Sequence, residues 1–254
     1  MNGSKQQAGD ARPVIILTGA GGRLGSAFCR KYSARYQIVA VWYRRRPVAA
    51  THKQYLIDPL DPDRRLPANR HPVHDVQADL RSDEQIERLV KVVMSRYHRV
   101  DAVVNAAVAG FWAPLLDGHS RVTEVTAALS LNVAAPLALV AEVAQRAWQC
   151  EPAENIAWNR CVLNVSSTAG IYVYPGYGQG TYSASKAALN ILTRHLAAEL
   201  KPLGVRANAL APDTFPGRLP TACVLDGMVR LIEGDLSGGI LLQLSADVEH
   251  LLSY

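Results

Sequence analysis

The sequence predicts an α/β fold, a doubly wound parallel sheet of about seven strands with helices on both faces. Three observations carry this prediction. Short β-branched runs alternate with helical segments along the 254 residues, the pattern of a parallel sheet buried between helical layers. The first run is followed at once by a glycine-rich turn and a helix, as in folds that bind nucleotides at the carboxyl edge of the sheet. Hydrophobic residues at 49% and charged residues at 19% are ordinary globular values, and the length fits one large domain with a full core.

The elements follow in order. Residues 13–18 are a short apolar strand, 23–36 a helix and 37–43 a second strand. Residues 47–72 are Pro-rich and charged, long for a connection, and read as an elaborated surface loop. A third strand at 73–80 precedes helical periodicity at 83–97, with Ser82 as its N-cap. Residues 101–105 are a buried strand, and 120–149 a long Ala-rich helix in which Pro136 makes a kink or step. After a second irregular insertion at 150–160 come a strand at 161–166, a helix at 181–201 and a strand at 205–210. A helical patch near 221–232 precedes a final strand at 239–244. The polar, small residues 1–12 read as a disordered tail, leaving 13–254 as a single domain.

The net charge of +5 is modest and its arginines are spread out, apart from Arg44-Arg45-Arg46. There is no basic stripe with interleaved aromatics, so no nucleic-acid partner is expected. No uninterrupted apolar run reaches the ~20 residues that span a bilayer, and no apolar leader opens the chain. The expectation is a cytoplasmic protein with no membrane partner. Cys29, Cys150, Cys161 and Cys223 are scattered without metal-ligand or disulfide spacing, and read as buried thiols in a reducing compartment, with no metal.

Tyr182 and Lys186 are the most informative residues. Four apart on a helix, they share one face, and an ammonium beside a phenol lowers the phenol pKa from its usual value near 10. A Tyr brought towards neutral passes a proton to or from a substrate oxygen. A lone pair of this kind is more often a solvated helix face, so its company decides. The turn Thr18-Gly19-Ala20-Gly21-Gly22-Arg23-Leu24-Gly25 follows the first strand. Glycines at 19, 22 and 25 allow a tight turn, close approach to a pyrophosphate and close packing of helix on strand. The second strand ends in arginines and has no acid. Arg44 and Arg45, with Arg23 in the facing turn, therefore point to the 2'-phosphate of NADP(H) rather than the 2'-hydroxyl of NAD.

Asp79, before Leu80, either accepts from an adenine amino group or is an ordinary acid near a helix start. Asn105-Ala106-Ala107 ends the fourth strand in small side chains, which suit backbone passing a flat cofactor or plain strand-end packing. Ser166 and Ser167 close the fifth strand at the ligand-binding edge, where a hydroxyl holds a carbonyl or simply forms a turn. Asn132 is a polar residue within the long helix, by itself a helix-face or satisfied core amide. The aromatics of residues 172–180, with Phe111 and Trp112, line a flat substrate pocket or an ordinary loop.

In order along the chain, Thr-Gly-x-x-x-x-x-Gly, Asp-Leu, Val-Asn-Ala-Ala, Leu-Asn-Val, Asn-Val-Ser-Ser, Tyr-Ser-Ala-Ser-Lys and Val-Arg-Ala-Asn-Ala-Leu-Ala-Pro resemble the short-chain dehydrogenase/reductases. The match runs from about Val14 to Pro212, with a weaker echo at residues 234–240. The resemblance implies a Rossmann-type single domain and NADP(H)-dependent hydride transfer to or from a small-molecule carbonyl or alcohol. Tyr182 would be the general acid or base, Lys186 would lower its pKa and hold the nicotinamide ribose, and Ser167 would steady the carbonyl oxygen. Asn132 would anchor a proton-relaying water. The cofactor would meet Gly19, Gly22, Arg23, Leu24, Gly25, Arg44, Arg45, Asp79, Leu80, Asn105, Ala106, Ala107, Pro212 and Thr214. Relatives assemble through the long helix and the Tyr182 helix, so a homodimer or homotetramer is expected.

The chain departs from that family's pattern in three places, one of them a short substrate-covering segment beside the Gly/Tyr-rich run at 172–180. Arg23 occupies the middle glycine position, so the glycines take the spacing of the extended branch that includes epimerases and dehydratases. Pro212-Asp213 replaces the usual Pro-Gly, and Thr214 or Pro216-Gly217 is expected to take over its nicotinamide contact. The alternatives to a reductase are an NADP-sensing regulator without turnover and an epimerase or dehydratase.

Overall fold

The computed structural model describes residues 12–49, 57–58, 61–65, 72–110, 112–114, 116, 122–235, 237–245 and 249–252. Strand β1 (Val14–Leu17) leads into helix α1 (Arg23–Tyr32) and β2 (Gln37–Trp42). Then come β3 (Ile57–Asp58), β4 (Asp61–Arg65), β5 (His74–Gln77) and α2 (Asp83–Tyr97). The chain continues through β6 (Ala102–Asn105), α3 (Val122–Leu129), α4 (Ala135–Val143), α5 (Pro152–Ala157) and β7 (Cys161–Val165). It ends with α6 (Gly180–Leu200), β8 (Arg206–Pro212), α7 (Thr221–Glu233), β9 (Leu241–Leu244) and β10 (Glu249–Leu252).

One sheet has the order β10-β9-β8-β7-β6-β1-β2-β5. Its first seven strands in chain order are parallel, as predicted, and an eighth, β10, runs antiparallel to β9. The order reverses between β1 and β6, and there the carboxyl ends open a crevice. Side-chain alternation divides each central strand between two cores. Ile15 and Leu17 join Phe28, Val224 and Met228 on the α1/α7 face. Val14 and Ile16 join Leu89, Leu139 and Leu196 on the α2/α4/α6 face.

Ser82 caps α2 as expected, its hydroxyl accepting from the Gln85 N–H at 3.3 Å. The insertion at 150–160, read as irregular, instead holds helix α5. Six residues make a marginal helix alone. The buried Asn155 amide fixes this one by donating to the carbonyls of Trp148 and Leu203, both at 2.7 Å. Within 47–72, β3 and β4 pair antiparallel, while residues 50–56, 59–60 and 66–71 of that loop, Phe111 and residues 1–11 lie outside the described residues. Cys29 and Cys161 are buried, but Cys150 and Cys223 are exposed, against expectation; all four are free.

The long helical stretch Val122–Trp148 is long and apolar enough to cross a membrane by length and composition, which a count of uninterrupted apolar residues passes over. In the fold its inner face packs on the sheet through Leu139, Val140, Val143 and Trp148, and the Trp148 indole donates to the Val100 carbonyl at 2.8 Å. The stretch is not uniform. Residues Ser130–Ala134 and Ala144–Trp148 are wound as π-helix, and Pro136 follows the first of these. Pro136 has no N–H to offer the carbonyl of Asn132, four residues back, so the ladder is interrupted beside Asn132.

Candidate active site

The glycine turn crosses the end of β1 in close contact with its neighbours. Gly19 has φ +68°, and a Cβ there would lie 2.6 Å from the Ala106 carbonyl oxygen. At Gly21 a Cβ would lie 1.6 Å from the Arg45 carbonyl oxygen, and at Gly25 2.5 Å from that of Gly19. The turn is thus seated on the ends of β6 and β2 with no room for a side chain. Thr18 holds the other side. Its hydroxyl accepts from the N–H groups of Ala106 and Ala107 at 3.0 and 3.1 Å.

Beyond the turn lies a cleft of about 500 Å³, lined among others by Gly19, Gly22, Tyr43, Arg44, Arg45, Asp79, Leu80, Ala106 and Ala107. Its far end is cationic. The guanidinium groups of Arg44 and Arg81 lie 5.8 and 5.6 Å from the centroid of the Tyr43 ring. Arg46 turns away. Its Nε donates at 2.8 Å to buried Asp75, so the third arginine of the cluster serves the sheet edge.

Several sequence-assigned contacts are revised. Asp79 is clasped by Arg81, whose Nε and Nη2 donate at 2.9 and 2.6 Å. That hydrogen-bonded cation lowers the Asp79 pKa and takes up acceptor capacity assigned to adenine. The Asn105 side chain does not face the cleft. It donates to Asn164 Oδ1 at 2.9 Å, and Asn164 donates in turn to Thr193 Oγ1 at 2.8 Å, a buried chain that pins α6 to the sheet. Leu24 is buried in the core, and Arg23 stands exposed at the start of α1; neither lines the cleft.

A second cavity of about 430 Å³ adjoins the ends of β7 and β8, and Ser167, Tyr182, Pro212, Asp213 and Thr214 all line it. Ser167 caps the 3-10 turn Thr168–Gly170, accepting from the Ala169 N–H at 3.1 Å. That turn packs directly on α6, since a Cβ at Gly170 would lie 2.7 Å from the Lys186 carbonyl carbon. The packing sets Ser167 against Tyr182, and the two hydroxyls interact. The Trp112 ring covers Tyr182, with centroids 5.6 Å apart.

Lys186 is 3% exposed and donates to the Val165 carbonyl at 2.7 Å. Its Nζ lies 5.8 Å from the Tyr182 ring centroid. The expected lowering of the Tyr182 pKa by Lys186 is not what this geometry produces. Burial raises the phenol, and the neighbouring Ser167 hydroxyl only opposes that rise. Burial lowers Lys186 from 10.5 to about 8, because the charged form loses its hydration.

A stability prediction follows from Lys186. Between pH 8 and 10.5 the unfolded chain keeps a proton that the folded chain has released, so stability rises with pH there. The contribution is complete above 10.5 and lost as pH falls through 8, a difference of about 3 kcal/mol. Lys186→Met lacks this term. Urea denaturation at pH 7.5 and 10 is expected to show wild type gaining on the variant at the higher pH; an unchanged difference would refute the shifted pKa.

Asn132 is 1% exposed and does not touch Lys186 through its side chain. Its Oδ1 accepts from the Ala109 N–H at 2.8 Å, and its Nδ2 donates to the Ala109 carbonyl and to Ser185 Oγ, both at 3.0 Å. Ser185 Oγ donates on to the Tyr182 carbonyl at 2.7 Å. Asn132 thereby fixes the loop after β6 to the first turns of α6. Sequence reading missed Arg81, Ser185 and Arg218 in these sites. Arg81 directly follows Asp79-Leu80, and Arg218 directly follows Pro216-Gly217, so both stand beside residues the sequence marks.

A buried Lys, a Tyr and a Ser gathered at the carboxyl edge of a doubly wound sheet define an oxidoreductase framework. A profile described as short chain dehydrogenase matches residues 13–219, and the chain belongs to that family. It is 36% identical over 130 residues to dehydrogenase/reductase SDR family member 4 of Rattus norvegicus, covering 51% of this chain and 43% of that protein. The chain thus spans less than half the length of that relative. It is 27% identical over 199 residues to a 3-oxoacyl-(acyl-carrier-protein) reductase of Synechocystis sp., covering 78% and 72%. Among solved structures, the Pseudomonas aeruginosa RhlG/NADP active-site complex superposes with TM-score 0.75 at 20% identity, covering 92% and 95%. A short chain dehydrogenase from Mycobacterium smegmatis gives 0.73 at 21%, covering 93% of each chain. At these identities the likeness shows the fold.

Proposed function

We propose that this chain is an NADP-dependent oxidoreductase that reduces the carbonyl of a small molecule. The observation that carries this reading is the meeting of the Tyr182 and Ser167 hydroxyls in one cavity, with Lys186 buried one helical turn behind. The residues of the cleft fit a dinucleotide. Gly19, Gly21 and Gly25 leave only backbone at the turn, as a pyrophosphate requires, and Arg44 and Arg45 offer donors to a 2'-phosphate at a strand end without an acid. When bound, the nicotinamide supplies the hydride.

The chain's own residues do the rest. Ser167 Oγ holds the substrate carbonyl oxygen, and Tyr182 Oη gives its proton to that oxygen as negative charge develops. The raised pKa of Tyr182 favours this direction, because the phenol keeps its proton at neutral pH and stands ready as an acid. Lys186, titrating near 8, holds an exchangeable proton close to the working pH, and Trp112 shields the hydroxyls from water. The name of the 3-oxoacyl reductase relative also supports reduction. Leu129, Leu137 and Ile191 leave apolar side chains exposed on α3, α4 and α6, in support of a homodimer or homotetramer, which light scattering checks. Free cysteines support a cytoplasmic location.

Titration of nicotinamide fluorescence tests the cofactor reading, with NADPH expected to bind well below NADH in Kd. Arg44→Ala with Arg45→Ala is expected to cost roughly 10- to 100-fold in NADPH affinity while sparing NADH, the worth of a charge-assisted hydrogen bond or two. Tighter binding of NADH by wild type would overturn the NADP assignment.

A further inference from the structure

Resting on the reductase reading, we infer that the catalytic cavity takes a carbonyl compound that carries a carboxylate, and that Arg218 reads it. Among the described residues lining the cavity, Arg218 supplies the cation. Its side chain is 68% exposed. Its Nη1 lies 3.8 Å from Asp213 Oδ2, beyond hydrogen-bond range, and no described residue hydrogen-bonds the guanidinium. The fork of donors that matches a carboxylate is therefore available to a ligand.

Asp213 orients this arginine without saturating it. Its Oδ1 accepts from the Thr214 N–H at 2.7 Å, which fixes the carboxylate at the end of β8 while Oδ2 faces Arg218. At 3.8 Å from an arginine that stands in solvent, Asp213, itself 13% exposed, holds Arg218 weakly, so an incoming carboxylate displaces little. The departure from Pro-Gly at residues 212–213 thus places a carboxylate beside Arg218 at the cavity. Trp112, Tyr174, Tyr177 and Phe215 form the walls, suited to a flat or aromatic body, and about 430 Å³ is near the small end of ligand pockets. The charge at one place and the Tyr182 and Ser167 hydroxyls at another require the carboxylate and the carbonyl to be separate groups of one small molecule.

The test pairs 4-acetylbenzoate and 4-oxo-4-phenylbutanoate with their methyl esters. Binding to the full chain with NADP+ present is read by tryptophan fluorescence, and turnover by NADPH consumption. Wild type is expected to prefer each acid over its ester by roughly 10- to 100-fold. In Arg218→Ala that ratio collapses towards one, and Arg218→Lys restores part of it. Equal binding of acid and ester, a preference that survives in Arg218→Ala, or binding of neither would overturn the inference. Esters reduced without an acid preference would leave the reductase reading standing alone. Acids bound in an Arg218-dependent way without NADPH consumption would do the reverse.

Discussion

Tyr182→Phe is expected to slow NADPH-dependent carbonyl reduction by about 100- to 10,000-fold, the worth of a positioned general acid. In barrier terms this is about 3 to 5 kcal/mol. NADPH affinity and the melting temperature are expected to change little. The Phe ring keeps the contact with Trp112, 5.6 Å between centroids, and removes only the hydroxyl that faces the cavity with Ser167. Pre-steady-state kinetics with NADPH separates the effects, because loss of the proton donor lowers the chemical step and leaves the binding step intact. A variant that retains full turnover would remove Tyr182 from the mechanism and favour a cofactor-sensing protein. Loss of binding together with turnover would place Tyr182 in cofactor recognition.

Gly21→Ala is expected to abolish cofactor binding, by at least about 100-fold, and to cost roughly 1–3 kcal/mol of stability as an overpacked contact. The added methyl would sit 1.6 Å from the Arg45 carbonyl oxygen, and backbone on both sides leaves no flexible group to yield. Either the turn or the end of β2 must move, and both line the cleft. Neither Gly19, Gly22 nor Gly25 of the sequence pattern is involved, so this variant tests a contact that the spacing of glycines does not contain. Differential scanning calorimetry with and without NADPH distinguishes the outcomes. Wild type gains melting temperature with ligand, and the variant is expected to show none of that gain. Normal binding by Gly21→Ala would mean that the contact between turn and strand end relaxes easily.

The sequence by itself determined the layered α/β architecture, seven parallel strands and the positions of Gly19, Ser167, Tyr182 and Lys186. These are local matters. Strands and helices declare themselves by period, and a turn too tight for a Cβ declares itself by glycine. Tertiary structure decided which polar groups meet. Asn105 reads as a cofactor residue until Asn164, fifty-nine positions away, takes its amide. Arg46 reads like Arg44 and Arg45 until the folded loop brings it to Asp75. Helix α5 forms because Trp148 and Leu203 bring carbonyls to Asn155, and β10 has a place because β9 leaves an open edge. The pKa values of Tyr182 and Lys186 depend on burial, which spacing along one helix does not contain. Hydrogen bonds and desolvation are set by neighbours in space, and only the folded chain chooses those.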